Sequence, residues 1–252
     1  MNIKYKGRTR KIERGLTVRK AFAEEIKNSE YEVIGCLYNN DYRNLETPIE
    51  EGANIELIDI SSKEGMKIYV RTIVYIMGKA FESLYPKEKL MVEYQLGNAM
   101  YCKCDNIKIT KEFTEKLKQK MQEIIEKDLP IKKVEMTRKE AQKFYDETDT
   151  SKGRLQFDFE ENDSIYMYYC EKYYNYCFGT LANRTGVIKI FDVVKYANGF
   201  LIRYPSSKEP TKMPEFQETK KLAWALEEFE KIHSVLDVLT VYKLNKAIEE
   251  DR

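Results

Sequence analysis

Hydrophobic and polar positions alternate in short runs over the first 60 residues of the chain. Ile3 and Tyr5 precede Gly7, and a second short run follows it, which predicts a hairpin. An apolar residue at every fourth position after Thr17 predicts a helix that Thr17 caps. Two further strand segments follow, VIGCLYN and IELIDI. The order strand, strand, helix, strand, strand predicts a β-grasp unit, a mixed sheet crossed by one helix.

A polar stretch then separates this region from the rest of the chain. It has the sequence SSKEG at residues 61–65, and it predicts a domain boundary. The next helix, predicted over residues 66–84, is apolar around much of its circumference. Its apolar residues are Met66, Tyr69, Val70, Ile73, Val74, Ile76, Met77, Ala80, Phe81 and Leu84. Such a helix packs between layers of structure and not on a surface, and Pro86 ends it.

A strand is predicted over residues 89–104, because apolar residues alternate there with polar ones. Gly97 and Asn98 interrupt the alternation and predict a bulge or bend within that strand. Cys102 and Cys104 then lie on one face, at a spacing that is far more common in packing than in metal binding.

Two amphipathic helices are predicted after this strand. The segment ITKEFTEKLKQKMQEIIEKD has an apolar stripe with charged residues outside it, and the stripe is Phe113, Leu117, Met121 and Ile124. Thr137 and Glu140 have the spacing of a capping box, which predicts a helix over residues 138–147.

Tyrosines are concentrated in a strand-rich segment, residues 154–204. Six of them lie between residues 166 and 176. Interleaved aromatic rings can stack on nucleic-acid bases, but tyrosine is also a favoured residue on a half-buried sheet. The pattern favours the sheet and leaves base stacking open. The last residues, 214–252, predict two helices with a short link.

The charge balance excludes a strong global attraction to nucleic acid or membrane, because 43 Lys and Arg residues face 42 Asp and Glu residues. A local basic cluster lies at the N-terminus, either as a solvated hairpin or as an RNA-binding patch: Lys4, Lys6, Arg8, Arg10 and Lys11. No apolar run reaches the roughly 18–20 residues of a membrane span. The first residues also lack the apolar core of a secretory signal.

The cysteines and the single histidine limit the chemistry further. Five cysteines without CxxC spacing indicate a reduced interior and a cytoplasmic protein. His233 is the only histidine, so the chain cannot build a two-histidine metal site. His233 lies near the end of a predicted helix, where a histidine is more often a cap or packing residue than a ligand. The sequence therefore predicts no metal site.

An ordered set of segments resembles a known family. IEEGANIELIDISSKEGMKIYVRT is similar to the junction between the TGS domain and the second additional domain of threonyl-tRNA synthetases. FESLYPKEKLMVE and CFGTLANRTGVIKIFDVVKYANGFLIRYP extend the resemblance to residue 204. It implies an α+β fold in three parts. These are a ubiquitin-like TGS domain of the β-grasp type (1–62), a domain like the second additional domain of threonyl- and alanyl-tRNA synthetases (63–213) and a helical linker (214–252).

In that family the second domain hydrolyses mischarged aminoacyl-tRNA, through an HxxxH motif on a helix and a later CxxxH motif. The matching positions in this chain are Arg71, Tyr75, Cys177 and Leu181. Only the cysteine agrees with the family. Arginine stays protonated and cannot act as a base, and leucine can neither transfer protons nor bind metal. The resemblance therefore implies a vestigial pocket with no catalytic residue.

Each of these side chains also has a structural interpretation. We expect Tyr75 to pack in the core and Arg71 to pair with a carboxylate. We expect Cys177 to behave as a small buried hydrophobe.

A second resemblance is closer. KIYVRTIVYIM and FLIRYPSSKEPTKMPEFQETKKLAWALEEFEKI are similar to the N-terminal region of bacterial uridine kinase-like (nucleoside kinase) proteins. In that group the first phrase already lacks the histidines. Tyr94 replaces a histidine that those proteins usually carry. The turn ANRTG also departs from their pattern, and its Asn183 and Arg184 either reach a ligand phosphate or serve the turn geometry.

Proteins of this second group carry a P-loop kinase of the uridine kinase type after the synthetase-like region. No GxxxxGK[ST] motif occurs among the eleven glycines of this chain. We therefore expect ATP and Mg²⁺ to belong to a kinase domain that this chain lacks, and no cofactor here. The chain is then either a piece of a longer kinase or a stand-alone module.

The leading hypothesis is a non-catalytic binding or regulatory module of a uridine kinase-like protein. One alternative is an aminoacyl-tRNA deacylase that acts in trans with a rebuilt site. The other is an RNA-binding module. The expected partners are tRNA or another RNA, a small-molecule ligand, and the kinase domain of the parent protein. No membrane partner is expected, and the sequence leaves the ligand and the oligomeric state open.

Overall fold

The computed structural model describes residues 1–104, 106–148, 164–216, 220–238 and 241–250. The chain divides into two compact units. One comprises Met1–Tyr94 and Asn98–Pro214, and the other comprises Gln95–Gly97 and Glu215–Arg252. Within the larger unit we call residues 1–62 the N-terminal lobe and residues 63–213 the second lobe. The predicted domain boundaries at residues 62 and 213 stay predictions.

The N-terminal lobe is a five-stranded sheet with short helices across it. Its elements are β1 (Asn2–Tyr5), β2 (Arg8–Lys11), α1 (Val18–Ala21), α2 (Ala23–Lys27), β3 (Val33–Tyr38), β4 (Asp41–Arg43) and β5 (Asn54–Asp59). The strand order is β2-β1-β5-β3-β4. β1 is parallel to β5, and the other neighbouring pairs are antiparallel. The β-grasp arrangement predicted from the sequence is therefore confirmed, as is the predicted hairpin β1–β2.

The helix predicted after Thr17 differs from the prediction in two respects. It is divided at Phe22, whose buried ring anchors the junction between α1 and α2. The Thr17 side chain does not cap α1. Instead, the first N–H groups of α1 donate to the carbonyls of Thr47 and Leu45 at 3.0 and 2.8 Å. A neighbouring loop thus replaces the expected cap.

The long helix α3 (Lys63–Leu84) begins three residues before its predicted start, inside the stretch predicted as a polar joint. The Ser62 Oγ accepts a hydrogen bond from the Gly65 N–H at 3.0 Å, so these polar residues are the cap and first turn of the helix. Gly65 packs so closely on the end of β5 that a Cβ there would lie 1.8 Å from the Asp59 carbonyl oxygen.

Helix α3 lies between layers, as its apolar circumference predicts. Its core cluster includes Ile34 and Ile60 from the N-terminal lobe and Phe113 and Phe200 from the second lobe. The hydrophobic core is therefore continuous across the two lobes.

The second lobe adds two sheets. Its further elements are β6 (Leu90–Gln95), β7 (Ala99–Cys104), α4 (Lys111–Glu126), β8 (Lys132–Thr137), α5 (Arg138–Thr148), β9 (Ser164–Cys170), β10 (Tyr173–Asn175), a 3-10 helix (Thr185–Val187), β11 (Asp192–Tyr196) and β12 (Gly199–Arg203). One sheet has the order β11-β12-β7-β6 and the other β10-β9-β8. The presence of both sheets and helices confirms the α+β class.

Several predicted elements of this lobe can be compared directly with the structure. The single strand predicted over residues 89–104 is wrong, because β6 and β7 are two neighbouring strands of one sheet. Gly97, with φ +56°, lies in the link between them. The predicted stripe of α4 is buried. The capping box is confirmed, since Thr137 N donates to Glu140 Oε2 at 2.8 Å and Glu140 N donates to Thr137 Oγ1 at 3.3 Å.

The tyrosine-rich segment forms a packed sheet, as the pattern favours. Tyr168 on β9 and Tyr173 on β10 are buried, and their backbones belong to the β10-β9-β8 sheet. Residues 154–163 of the predicted strand-rich segment lie outside the described residues.

The smaller unit is described by two helices, α6 (Lys220–Val235) and α7 (Val241–Glu249), as the sequence predicts. His233 lies in the last turn of α6, where its ring is exposed.

Candidate functional site

A cleft of about 1030 Å³ lies between the N-terminal lobe and the second lobe. One wall is β4 with the loop after it and the start of α1. The other wall is the segment that enters β8, together with β9 and the turn after Cys177. The residues that line the cleft include Arg19, Tyr42, Arg43, Glu46, Asp128, Lys132, Lys133, Tyr166, Gly179, Thr180, Asn183 and Arg184.

Asn183 joins the two walls of the cleft. Its Oδ1 accepts from Arg19 Nη2 at 2.8 Å, and its Nδ2 donates to Glu46 Oε1 at 2.9 Å. Arg19 Nε also donates to Glu46 Oε1 at 2.8 Å. Because only 8% of Asn183 is exposed, its amide serves this connection, and the predicted contact with a ligand phosphate is not needed to explain it.

Two further contacts hold the same region. Thr180 Oγ1 donates to the Tyr42 carbonyl at 2.6 Å, which links the turn after Cys177 to β4. Arg184 pairs with Asp128, whose Oδ1 also accepts from the Gly186 N–H at 3.0 Å. The guanidinium of Arg184 is therefore neutralised within the protein.

Tyr75 is fully buried, as expected for a core residue. Its hydroxyl lies 3.2 Å from the backbone carbonyl oxygens of both Tyr168 and Tyr173, which share its single hydrogen. Both rings meet it edge-on, with centroid distances of 6.4 and 5.1 Å. Burial raises the pKa of the Tyr75 phenol far above its usual range, so the group is neutral and unsuited to accept a proton at neutral pH.

Cys177 is partly buried and packs in the cluster that contains Tyr75 and Leu181. Burial raises the pKa of its thiol to about 12, while the positive charge of Arg71 acts in the opposite direction. Because the thiolate is the nucleophile, a thiol with this pKa is inert at neutral pH. Leu181 has no exposed surface. The expectation of a small buried hydrophobe at Cys177 is therefore close to the observed packing.

Arg71 departs from the sequence interpretation. Among the described residues no carboxylate pairs with it, so the expected ion pair is wrong within that part of the chain. Its guanidinium lies against Gly179 instead, where an added Cβ would be 2.9 Å from Arg71 Cζ. Gly179 has φ +88°, a left-handed conformation that favours glycine.

Tyr94 lies apart from the other predicted pocket residues in the fold. It is on β6 of the four-stranded sheet, where its ring stacks on Tyr101 with a centroid distance of 5.0 Å. Tyr75, Cys177 and Leu181 instead pack beside β9 and β10. The structure therefore packs Tyr75, Cys177 and Leu181 together with Arg71 close to Cys177, and it places Tyr94 in another sheet.

The cleft itself was not predicted from the sequence. Its walls use Tyr42 on the three-residue strand β4 and Tyr166, whose ring lies 4.0 Å from Lys133 Nζ. Short polar strands give almost no periodic signal, and a tyrosine beside a lysine is unremarkable in sequence. The lining residues that the structure describes do not include Arg71, Tyr75 or Cys177.

Ion pairs neutralise most of the charge in the cleft. The pairs are Arg19–Glu46 at 2.8 Å, Arg43–Asp41 at 3.2 Å, Lys133–Glu135 at 3.3 Å and Arg184–Asp128. Lys132 is exposed, and no carboxylate pairs with it among the described residues. Within that part of the chain, the cleft walls therefore leave Lys132 as a basic group without a counter-charge.

The described residues contain no group of three or more His, Cys, Asp or Glu side chains that could hold a metal ion. Within the same residues, every helix is too short or too polar to cross a bilayer.

Comparison with known proteins finds threonine–tRNA ligases among the relatives of this chain. No protein-family model matches the chain. The threonine–tRNA ligase of Thermotoga petrophila is 28% identical over 208 residues, which is 79% of this chain and 32% of the ligase. The ligase of Caldanaerobacter subterraneus subsp. tengcongensis is 27% identical over 77% of the chain and 30% of the ligase. The Aquifex aeolicus ligase is 28% identical over 79% and 32%.

The chain spans about a third of the length of the curated relatives it matches. These relatives confirm the predicted resemblance to threonyl-tRNA synthetases. Over about four-fifths of its length, this chain is similar to part of the threonine–tRNA ligases.

Proposed function

We propose that this chain is a non-catalytic RNA-binding module whose cleft receives the 3′ end of a transfer RNA. One observation carries the proposal. The cleft between the lobes is open, while the positions that match the HxxxH and CxxxH motifs are Arg71, Tyr75, Cys177 and Leu181. The similarity to threonine–tRNA ligases, which act on a transfer RNA by their name, supports the choice of ligand.

The surface of the cleft suits a single strand of RNA. Lys132, which no carboxylate of the described residues neutralises, supplies a positive charge for a phosphate. Tyr42 exposes 44% of its surface on one wall. Phe178, next to the lining residue Gly179, exposes 80%. Exposed aromatic rings beside basic groups are the features on which unpaired bases stack.

The residues at the motif positions argue against hydrolysis by this chain. A general base needs a pKa near the working pH, whereas the Tyr75 phenol and the Cys177 thiol have raised pKa values and are neutral. Arginine, the residue at position 71, is not a general base. We therefore propose that the cleft binds a transfer RNA and that the motif positions supply no catalytic group for hydrolysis of its ester bond.

Binding is tested with labelled threonine transfer RNA, either intact or lacking its three terminal nucleotides, at several salt concentrations. We expect the intact RNA to bind more tightly, and log Kd to rise with log salt. Lys132→Gln should weaken binding a few-fold and reduce the salt slope by roughly 0.7–0.9, because the variant neutralises one phosphate fewer. Lys108→Gln is the matched control, because Lys108 is an exposed lysine outside the cleft. Equal binding of the two RNAs would refute the proposal.

Hydrolysis is tested separately with serine-charged threonine transfer RNA. We expect release of serine at the rate of buffer alone. Release well above that rate, abolished in Cys177→Ala, would replace this proposal with the deacylase alternative.

The finer parts of the sequence interpretation stay predictions. These are the TGS assignment, the uridine kinase-like parent with its ATP and Mg²⁺, a regulatory role, a small-molecule ligand and the cytoplasmic location. The relatives found are ligases, and they favour the RNA-binding alternative over a kinase-linked role.

A further inference from the structure

Arg71 differs from most arginines of the larger unit in its electrostatic surroundings. It is partly buried on α3, and no carboxylate among the described residues pairs with it. Other arginines of this unit do pair with a carboxylate: Arg10, Arg14, Arg19, Arg43, Arg184 and Arg203. A cation that is partly removed from water without a counter-charge is costly. Its position therefore calls for an anion.

The immediate neighbours of Arg71 do not supply that negative charge. Its charge acts on the Cys177 thiol and the Tyr168 phenol. Burial raises the pKa of each of these groups to about 12, so both are neutral at pH 7. The Tyr168 hydroxyl is moreover engaged with the backbone, since it donates to the Gly179 carbonyl at 2.8 Å.

Gly179 connects Arg71 to the cleft. Gly179 lines the cleft, and the space that its missing side chain leaves is occupied by the guanidinium of Arg71, within 3.2 Å of an added Cβ at three atoms. The cation therefore lies against a residue of the cleft wall. Leu181, two residues further on, is fully buried.

We infer that Arg71 binds a phosphate group that enters from the cleft at Gly179. The planar guanidinium fork can donate two parallel hydrogen bonds to phosphate oxygens. Free phosphate carries more negative charge than a carboxylate at neutral pH, and the cleft residue Lys132 adds a positive charge that attracts it. This site does not depend on the proposed function, because a free phosphate and a phosphodiester of an RNA strand each present at least two unesterified oxygens to the guanidinium.

The experiment is a titration of the full chain with inorganic phosphate at constant ionic strength, followed by thermal unfolding and by calorimetry. We expect a saturable rise in Tm and a matching binding isotherm. Arg71→Gln should weaken phosphate binding roughly tenfold or more, because the charge-assisted pair can no longer form. Arg71→Lys should retain weaker binding, since it keeps the charge without the fork.

Arg8→Gln is the matched control, because Arg8 is an exposed arginine on the β1–β2 hairpin, and it should bind phosphate like the unaltered chain. Equal phosphate binding by Arg71→Gln, or an absence of saturation in the unaltered chain, would overturn the inference. Tighter, Arg71-dependent binding of acetate would also overturn it and assign a carboxylate site. Circular dichroism establishes that each variant folds, and Arg71→Lys decides the matter if Arg71→Gln does not.

The two proposals fail separately. Arg71-dependent phosphate binding in a chain that does not discriminate intact from trimmed RNA leaves the phosphate site standing and removes the RNA-binding proposal. RNA binding that depends on Lys132, in a chain whose phosphate binding does not depend on Arg71, removes the phosphate site and leaves the RNA-binding proposal standing.

Discussion

Tyr75, which the resemblance matches to a histidine of the synthetase motif, has a hydroxyl that is hydrogen-bonded to the protein backbone. Its two acceptors are the carbonyls of Tyr168 and Tyr173, at opposite ends of the β9–β10 turn region. A buried carbonyl that loses its donor is left short of a hydrogen bond. The residue therefore stabilises the sheet that contains β9 and β10.

Tyr75→Phe should lower the free energy of unfolding by about 1–2 kcal/mol, because one buried hydroxyl no longer serves two carbonyls. Urea denaturation of the two chains measures the difference. Tyr42→Phe is the control and should change stability by less than about 0.5 kcal/mol, since Tyr42 is an exposed residue. Equal effects of the two substitutions would contradict the role given to the Tyr75 hydroxyl.

The environment of a single residue is predicted best where it follows from the apolar pattern of the residue's own helix. The packing of Tyr75 follows from its place on an apolar helix and is confirmed. The partners of Arg71 and Asn183 were not predictable in the same way. Asn183 bonds to Arg19, which is 164 positions away in the sequence, and no local pattern encodes a contact of that range.

At the scale of elements, the start of α3 joins the two lobes through backbone contact. Gly65 lies in the first turn of the helix and faces the carbonyl of Asp59 at the end of β5. The polar composition of SSKEG predicts a joint at a domain boundary, yet its serine caps a helix and its glycine permits close packing. Composition alone does not separate a loop from a well-capped helix start.

Gly65→Ala should lower the free energy of unfolding by at least about 2 kcal/mol, because an overpacked methyl group must displace backbone. Its Cβ would lie 1.8 Å from the Asp59 oxygen. Lys63→Ala is the matched control, since it places alanine at an exposed position in the same turn. Chemical denaturation measures both. A destabilisation no larger than that of the control would show that β5 and α3 move apart without cost.

Sheet elements were predicted less well than helices. The run over residues 89–104 looks like one strand with a bend, but its two halves are separate neighbours in a sheet completed by β11 and β12. Strand β4 was missed because its three residues are all exposed. Alternation marks a strand, whereas pairing depends on partners elsewhere in the chain.

For the whole molecule, buried thiols and phenols make stability depend on alkaline pH. Burial raises the pKa of several of them to about 12: Cys36, Tyr69, Tyr168, Cys177 and Tyr204. In the unfolded chain these groups lose their protons near pH 9 for cysteine and pH 10 for tyrosine. Between those values and about 12 the folded state holds more protons, so the free energy of unfolding falls as pH rises.

We expect stability to be level below about pH 9 with respect to these groups and to fall steadily toward pH 12. Urea denaturation across that range measures it, with ultraviolet absorbance of tyrosinate as a second signal. We expect the tyrosinate absorbance of the buried tyrosines to rise at the same pH at which the chain unfolds. Constant stability up to pH 12, with tyrosinate forming in a folded chain, would contradict the prediction.

The overall order of elements was predictable, because the β-grasp unit, the central helix and the helix with its capping box each have a local signature. The cleft was not, because it exists only after β4 of the N-terminal lobe meets β8 and β9 of the second lobe. The resemblance predicts which positions match the synthetase motif. Only the folded chain shows that one of them, Arg71, lies against the cleft residue Gly179.

The continuous core around α3 has a mechanical consequence for this cleft. Ile34 and Ile60 on one side share that core with Phe113 and Phe200 on the other, and the amide of Asn183 ties the opposing rims. Within the described residues these contacts hold the two walls together, so we expect the cleft to keep its shape when a ligand binds.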